Sequence, residues 1–343
     1  MPEKPVLAGL RLEELKKTLV AYPPLRSRQI HEWICRGIKS FEEMSNLPLS
    51  LRKELSEKYM VFAGEVSSEL KENDGTIKIG ITLPDGAVIE AVMLKDGKDR
   101  KTACLSSQAG CASACVFCKT GMLGLKRNLL AEEISTQFLH LKKLDNGISH
   151  IVIMGMGEPL LNMDELKRAL DFLMESRGIN ISKRRITIST SGIASGIIDM
   201  AHNGPDVRLA LSLTTAREGL RRQLMPASES LPRLKEALLE YQQKRERRIT
   251  LEMVLLGGLN TSALDAKAAA DFAKDLSVVF NLIPWNPVPG MEFEGLPLKP
   301  PSPEEVSAFL KALESRGLKV TRRTAKGRGI SGACGQLGVI QVT

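Results

Sequence analysis

Aromatic side chains are scarce in this chain, at 4% of 343 residues. That argues against a recognition surface made of a broad sheet of stacking aromatics, the device by which many RNA readers hold unpaired bases. Long apolar runs are missing as well. Nothing approaches the ~18 to 20 consecutive apolar residues of a membrane span. The opening segment "MPEKPVLAGLRLEELKK" has no apolar stretch of the kind a secretory leader carries. A cytoplasmic protein with no membrane partner is expected. Cysteines number six, Cys35, Cys104, Cys111, Cys115, Cys118 and Cys334, and without a leader they do not make a disulfide scaffold. The most informative lack is local. The stretch "SSQAGCASACVFCKTGMLG", Ser106 to Gly124, spaces three thiols as C-x3-C-x2-C and offers no fourth. Closed tetrahedral metal sites take four ligands.

Charge and length say what is present. Lys and Arg number 48 against 40 Asp and Glu, for a net charge of +8 and a pI near 9.1, which favours a polyanionic partner. Hydrophobic residues at 43% suffice for a core, and the length suits one large barrel with an accessory piece.

Residues 8–60 read as helical, with apolar residues at i, i+3, i+4 spacing in "RLEELKKTLVAY" and "RSRQIHEWICRGI". Cys35 falls on this second helix and reads as a small buried hydrophobe. Between 63 and 94 the period changes to β-type in "EVSSELKE", "TIKIGITL" and "AVIEAVML", separated by the turns "NDG" and "PDG". Residues 1–98 are therefore predicted to be an accessory module, helices followed by a β-meander. From 99 to 343 strand alternates with helix. Strands are predicted at 101–107, 150–154, 184–190, 207–213, 249–256 and 277–283, and helices at 129–144, 163–177, 195–203, 231–246, 263–275 and 303–316. Six βα units imply an α/β fold with a parallel sheet curled into a full or partial barrel. Chemistry in such folds gathers at the C-terminal strand ends. The Pro-rich segment 284–303 reads as a long loop.

Iron–sulfur clusters are normally held by four thiolates. C-x3-C-x2-C lets one loop grip three corners of a [4Fe–4S] cube, leaving one iron free to bind a small molecule. Gly110 and Gly121 supply the backbone freedom for that wrap. His140, the nearest histidine downstream, falls in a predicted helix as a surface residue. The alternative is a zinc knuckle without its fourth ligand, in a non-catalytic RNA-binding protein.

The thiol spacing, placed after the first strand of a βα barrel, resembles the radical SAM superfamily. More narrowly, "CLSSQAGC", "GLKRNL", "MGMGEPLLN", "KRRITISTSG", "NLIPWNPVPG" and "GACGQL" occur in order, and the whole chain resembles the RlmN/Cfr family of radical SAM RNA adenine methyltransferases. The resemblance implies a radical SAM (β/α)6 partial barrel. It implies a [4Fe–4S] cluster on Cys111, Cys115 and Cys118, whose open iron chelates S-adenosylmethionine and whose electron cleaves it to a 5'-deoxyadenosyl radical. Gly157, Glu158, Ser189, Ser212, Leu213, Thr214 and Asn286 would bind that cofactor. Thr214 departs from the His or Asn of many relatives, and Gly329 from a usual Asp.

By the same resemblance, Cys334 carries a methyl group. C2 of adenine is electron-poor and has no nucleophilic lone pair, so it cannot attack a sulfonium, whereas a thiolate can. A radical from a second S-adenosylmethionine, two being used per turnover, would activate the S-methyl group for addition to the ring. Glu90 would accept the ring proton, and Cys104 would release the product through a transient disulfide with Cys334. The implied substrate is an adenosine of 23S rRNA, with tRNA as a second candidate. The electron donor would be a flavodoxin-type protein, and a monomer is expected. "KTGMLGLKRNL" and "GRGISGACGQL" are closer to the Cfr side and "IPWNPVPG" to the RlmN side, so C8 stands as the alternative to C2. The basic run "RRTAKGR" (322–328) abuts the Cys334 loop and is the expected phosphate contact. The target base must leave its stack to meet Cys334.

Overall fold

A computed structural model describes residues 4–97 and 100–338. The boundary expected between 98 and 99 lies outside the described residues. Three helices come first: α1 (Leu12–Thr18), α2 (Pro24–Cys35) and α3 (Leu49–Lys58). Pro24 opens α2, where a missing N–H costs nothing. The helix buries Ser27, Ile30, His31, Ile34 and Cys35 as one stripe, so Cys35 is buried as its sequence context implies.

The meander follows as β1 (Glu65–Lys71), β2 (Ile77–Thr82) and β3 (Val88–Asp96), paired antiparallel. β1 alternates exposed and half-buried residues as an edge strand should, whereas β2 is buried at every position but its last and β3 is buried from Ile89 to Leu94. β3 pairs antiparallel with β4 (Arg100–Leu105). β4 is also the first parallel strand of the barrel, so the meander continues directly into the barrel sheet.

After β4 a short hairpin, β5 (Gln108–Gly110) and β6 (Leu125–Asn128), brackets the cysteine loop and the one-turn helix α4 (Lys119–Met122). The alternation then runs α5 (Ala131–Leu144), β7 (Ile148–Ile153), α6 (Met163–Met174), β8 (Ile186–Thr190), α7 (Ala194–His202) and β9 (Arg208–Ser212). It continues with α8 (Glu218–Leu224), α9 (Leu231–Arg245), β10 (Ile249–Leu255), α10 (Ala263–Phe272) and β11 (Val278–Pro284). A small hairpin, β12 (Glu292–Phe293) with β13 (Leu296–Pro297), interrupts the Pro-rich loop before α11 (Pro303–Glu314) and β14 (Val320–Arg322). The sheet order is β1-β2-β3-β4-β7-β8-β9-β10-β11-β14, ten strands in all, with every pair from β4 onward parallel. The six predicted barrel strands and the helices between them are present. β14 is a further parallel strand that the sequence pattern did not announce.

One expectation is overturned. His140 is buried, at 4% exposure. α5 is covered nearly all round, from Ala131 to Leu141, because the sheet lies on one side and the N-terminal module on the other. The His140 ring lies edge-on to Phe62, with Nε2 3.2 Å from the Gly64 carbonyl. Burial pushes its pKa down to about 4.

Candidate active site

The cysteine loop starts where β4 ends. Gly110 has φ +83°, and a Cβ there would sit 1.9 Å from the Gly124 carbonyl oxygen. Only glycine closes this hairpin, whose next rung is the Cys111 amide donating to that same carbonyl at 2.9 Å. Gly121 packs on the Cys115 backbone. Cys111, Cys115 and Cys118 line one cavity of about 140 Å³. Among the described residues no three His, Cys, Asp or Glu side chains converge to hold a single metal ion. A cube gives each thiolate its own iron, so it takes thiols spread around a cup rather than aimed at one point. Burial pushes the Cys111 and Cys115 thiols up, and the charges of Cys118 and Cys111 push Cys115 further. A cationic metal core relieves that cost. The three residues fit a cluster.

The strand ends form the other wall. The glycines after β7 have a packing reason the sequence did not reveal. A Cβ at Gly157, φ +104°, would meet Gln108 Cβ at 2.5 Å, and one at Gly155 would meet Ser106 Oγ at 2.6 Å. Both let the β7 loop close on the start of the cysteine hairpin. Glu158 is buried, and its carboxylate accepts from the amides of Ser191 at 2.6 Å and Leu160 at 3.1 Å. Burial pushes its pKa up against those hydrogen bonds. Gly157, Glu158, Ser189, Ser212 and Asn286 all line the cavity that holds the three thiols. Leu213 and Thr214 are fully buried and do not line it. Thr214 has φ +56°, an unusual conformation for a β-branched residue. It is held there by its amide donating to the Glu252 carbonyl at 3.0 Å and by Asn260 donating to its own carbonyl at 2.8 Å.

The C-terminal loop closes the cup. The Lys119 amide donates to the Gly335 carbonyl at 2.8 Å, and the Thr120 hydroxyl to the Leu337 carbonyl at 2.8 Å. Asn286 donates to the Cys334 carbonyl at 3.0 Å and accepts from Arg328 Nε at 2.8 Å, so both ends of its amide now hold this loop. Cys334 is the exposed residue of a largely buried loop, and it lines both the thiol cup and a second, smaller cavity with Cys104, Met154 and Arg323. That smaller cavity, about 30 Å³, has room for water but not for a base. Burial pushes Cys104 up to about 12 and Cys334 up to about 11, while Arg323 pulls both down. Both thiols are free.

Glu90 is buried rather than exposed on its strand. Its carboxylate pairs with Lys78 Nζ at 2.9 Å and accepts from the Gly338 amide at 2.6 Å. It lines neither cavity. The Gly329 amide donates to Glu72 at 3.1 Å, and a Cβ at 329 would stand 2.9 Å from that carboxylate. Glu72 thus supplies an acidic group at the place where the resemblance expects Asp.

Comparison with known proteins agrees with this geometry. Residues 105–268 match the family model of the Radical SAM superfamily. A probable dual-specificity RNA methyltransferase RlmN of Treponema denticola is 48% identical over 337 residues, covering 98% of this chain and 96% of that one. The chain belongs to the RlmN family of radical SAM RNA methyltransferases. The dual-specificity RNA methyltransferase RlmN of Lawsonia intracellularis is 42% identical, covering 95% of this chain and 93% of its own. A crystal structure of a radical SAM methyltransferase from Sphaerobacter thermophilus superposes with a TM-score of 0.92 at 37% identity, covering 97% of this chain and 99% of that one.

An RlmN-family chain is an enzyme, which sets aside a non-catalytic zinc protein. Radical SAM membership brings S-adenosylmethionine and a [4Fe–4S] cluster, and RNA is the substrate. Four residues at the site went unmarked as individuals in the sequence. Glu252 accepts from Ser189 at 2.8 Å and lines the thiol cup. Lys78 holds Glu90. Arg221 holds the loops after β8 and β9. Arg323, read there within a basic run for phosphate, instead lines the Cys104–Cys334 cavity. Glu252 and Lys78 are lone charges in their strands, whereas Arg221 and Arg323 sit among other charges. Each of those two breaks the apolar pattern of a buried strand, and that was the available signal.

Proposed function

We propose that this RlmN-family enzyme methylates C2 of an adenosine in 23S rRNA, with tRNA as a second substrate, through an S-methyl group on Cys334. The observation that carries this is the shared cavity of Cys104 and Cys334, next to the three-thiol cup. A thiol loop tied to the cluster helix α4 by the Lys119 and Thr120 contacts can accept a methyl group at the cup and offer it to a base outside. Cys111, Cys115 and Cys118 would hold the cluster, and Gly157, Glu158, Ser189, Ser212 and Asn286 would surround S-adenosylmethionine, with Leu213 and Thr214 shaping the loop behind them. When bound, these groups supply the radical chemistry, with two cofactor molecules used per turnover. Cys334 becomes a thioether and then bonds through its methyl carbon to the ring. Glu90 takes the ring proton once Gly338 has left its oxygen, and the electron lost with it would go to the cluster. Cys104 then attacks the Cys334 sulfur, whose bond to the methylene carbon breaks as that carbon takes up a proton, so that a disulfide forms and the methylated base leaves. A flavodoxin-type reductant and a monomeric enzyme complete the proposal.

The test is nucleoside mass analysis of 23S rRNA and tRNA digested after reaction with the reconstituted enzyme. 2-Methyladenosine is expected. 8-Methyladenosine in its place would overturn the C2 assignment.

A further inference from the structure

Arg221 is 1% exposed. It sits on α8, one turn before Met225. Its guanidinium donates to the carbonyls of Ser191 at 2.7 Å, Ser212 at 3.1 Å and Leu213, and reaches Met225 Sδ at 3.4 Å. Nε has no partner. Among the described residues no carboxylate lies within ion-pair distance of it. Glu218, one turn earlier, spends its carboxylate on the Leu231 amide at 2.9 Å and on Arg222 at 3.7 Å.

A buried cation with no anion is expensive. Carbonyl dipoles offset part of that cost, but charge compensation is still missing. The cysteine loop is tied to the helix that carries Arg221. The Val116 amide donates to the Leu224 carbonyl at 3.1 Å, locking that loop to α8. Phe117, Leu224 and Met225 share one apolar cluster against which Cys115 and Cys118 pack. Ser191, Ser212 and Met225, which the Arg221 guanidinium touches, all line the cavity that holds the three thiols.

We propose that Arg221 is the built-in counter-charge of the iron–sulfur cluster and makes it easier to reduce. This rests on the cluster being held by Cys111, Cys115 and Cys118. A cube on three thiolates carries net negative charge and gains one more negative charge on accepting an electron. A fixed cation buried directly behind the residues that line the cup stabilises the reduced form more than the oxidised one. Net charge around a cluster is one of the levers that set its potential. Arg221 acts here as a positioning residue in the electrostatic sense and touches no substrate. A purely structural role, holding three loop carbonyls, is the competing explanation, and lysine separates the two because it keeps the charge while losing the planar fork.

The experiment uses the full chain, reconstituted anaerobically with iron and sulfide and titrated with dithionite under electron paramagnetic resonance detection. Wild type is compared with Arg221→Lys, Arg221→Gln and Arg221→Met at matched iron content. The neutral variants are expected to lose at least about tenfold in the reduction equilibrium, which is about 59 mV for one electron, with Lys close to wild type. Neutral variants that fold but retain no iron, while Lys retains it, would support the same charge role. An unshifted potential in the neutral variants, an equal shift in Lys, or folding only of Lys would overturn it. Wild-type protein that takes up no iron would instead defeat the cluster assignment on which the proposal stands.

Discussion

Under the proposed function Cys334 reacts as a thiolate although its surroundings resist the charge. Burial raises it to about 11, Glu252 opposes ionisation, and Arg323 favours it. The reactive form therefore grows as pH rises toward that value, and losing Arg323 moves the whole curve to higher pH. Labelling of Cys334 by iodoacetamide, followed by peptide mass mapping, should speed up about tenfold per pH unit between pH 7 and 9. Arg323→Met should slow it severalfold at each pH. A flat profile, or no effect of Arg323→Met, would contradict this picture of the thiol. Thr214 makes the complementary point about strain. Its left-handed backbone is one that Asn tolerates more readily, which gives a physical sense to the Asn of relatives. The Glu252 carbonyl and Asn260 hold the conformation in place here.

At the scale of elements, the cup depends on one hairpin. β5 and β6 are too short to stand alone, and their closure needs Gly110 in a conformation that brings it against Gly124. Gly110→Ala should destabilise the chain by about 2 kcal/mol or more, since a Cβ cannot share that space and the φ is unfavourable. The variant should also hold less iron after reconstitution. Denaturant midpoints and iron assays check both, and wild-type values would refute the role given to this turn. The long elements were legible because period and length agree. α6 buries Met163, Leu166, Ala169, Leu170 and Leu173 at helical spacing, and β8 alternates. The short ones were not. β14 has three residues, two of them exposed arginine and threonine. α8 and α4 are two turns or fewer, and take their shape from contacts across the cup. His140 was misjudged because periodicity shows one apolar face, whereas α5 is wrapped on several.

At the scale of the whole molecule, the meander and the C-terminal loop act on each other across the barrel mouth. Glu72 takes the Gly329 amide, Asp74 takes the Gly327 amide at 3.4 Å, and Lys78 pairs with Glu90 while reaching the Ser331 carbonyl at 3.4 Å. Lys78 and Glu90 are both 4% exposed at the side chain, so removing either partner alone strands a buried charge at a cost of about 3–5 kcal/mol. These contacts hold the Cys334 loop across the mouth, with Cys334 itself exposed. The cavity behind it is too small for a purine, so under the proposed function the base meets Cys334 from outside, and the Glu90 oxygen is freed only when the Gly338 amide leaves it. Sequence alone placed Glu90, Cys104 and Cys334 in one mechanism only through family likeness. Cys104 shares a cavity with Cys334, and Glu90 reaches the C-terminal loop at Gly338, because the sheet carries β3 beside β4 and the tail folds back across more than 240 residues of chain.

The account turns on the carbon that reaches the RNA having first resided on Cys334. The direct measurement loads the enzyme with a deuterated methyl group on Cys334, removes free cofactor, and runs one turnover with RNA and unlabelled S-adenosylmethionine. Deuterium in the new methyl group of the adenosine is the predicted result. A wholly unlabelled methyl group on the RNA, with the label still on Cys334, would contradict it.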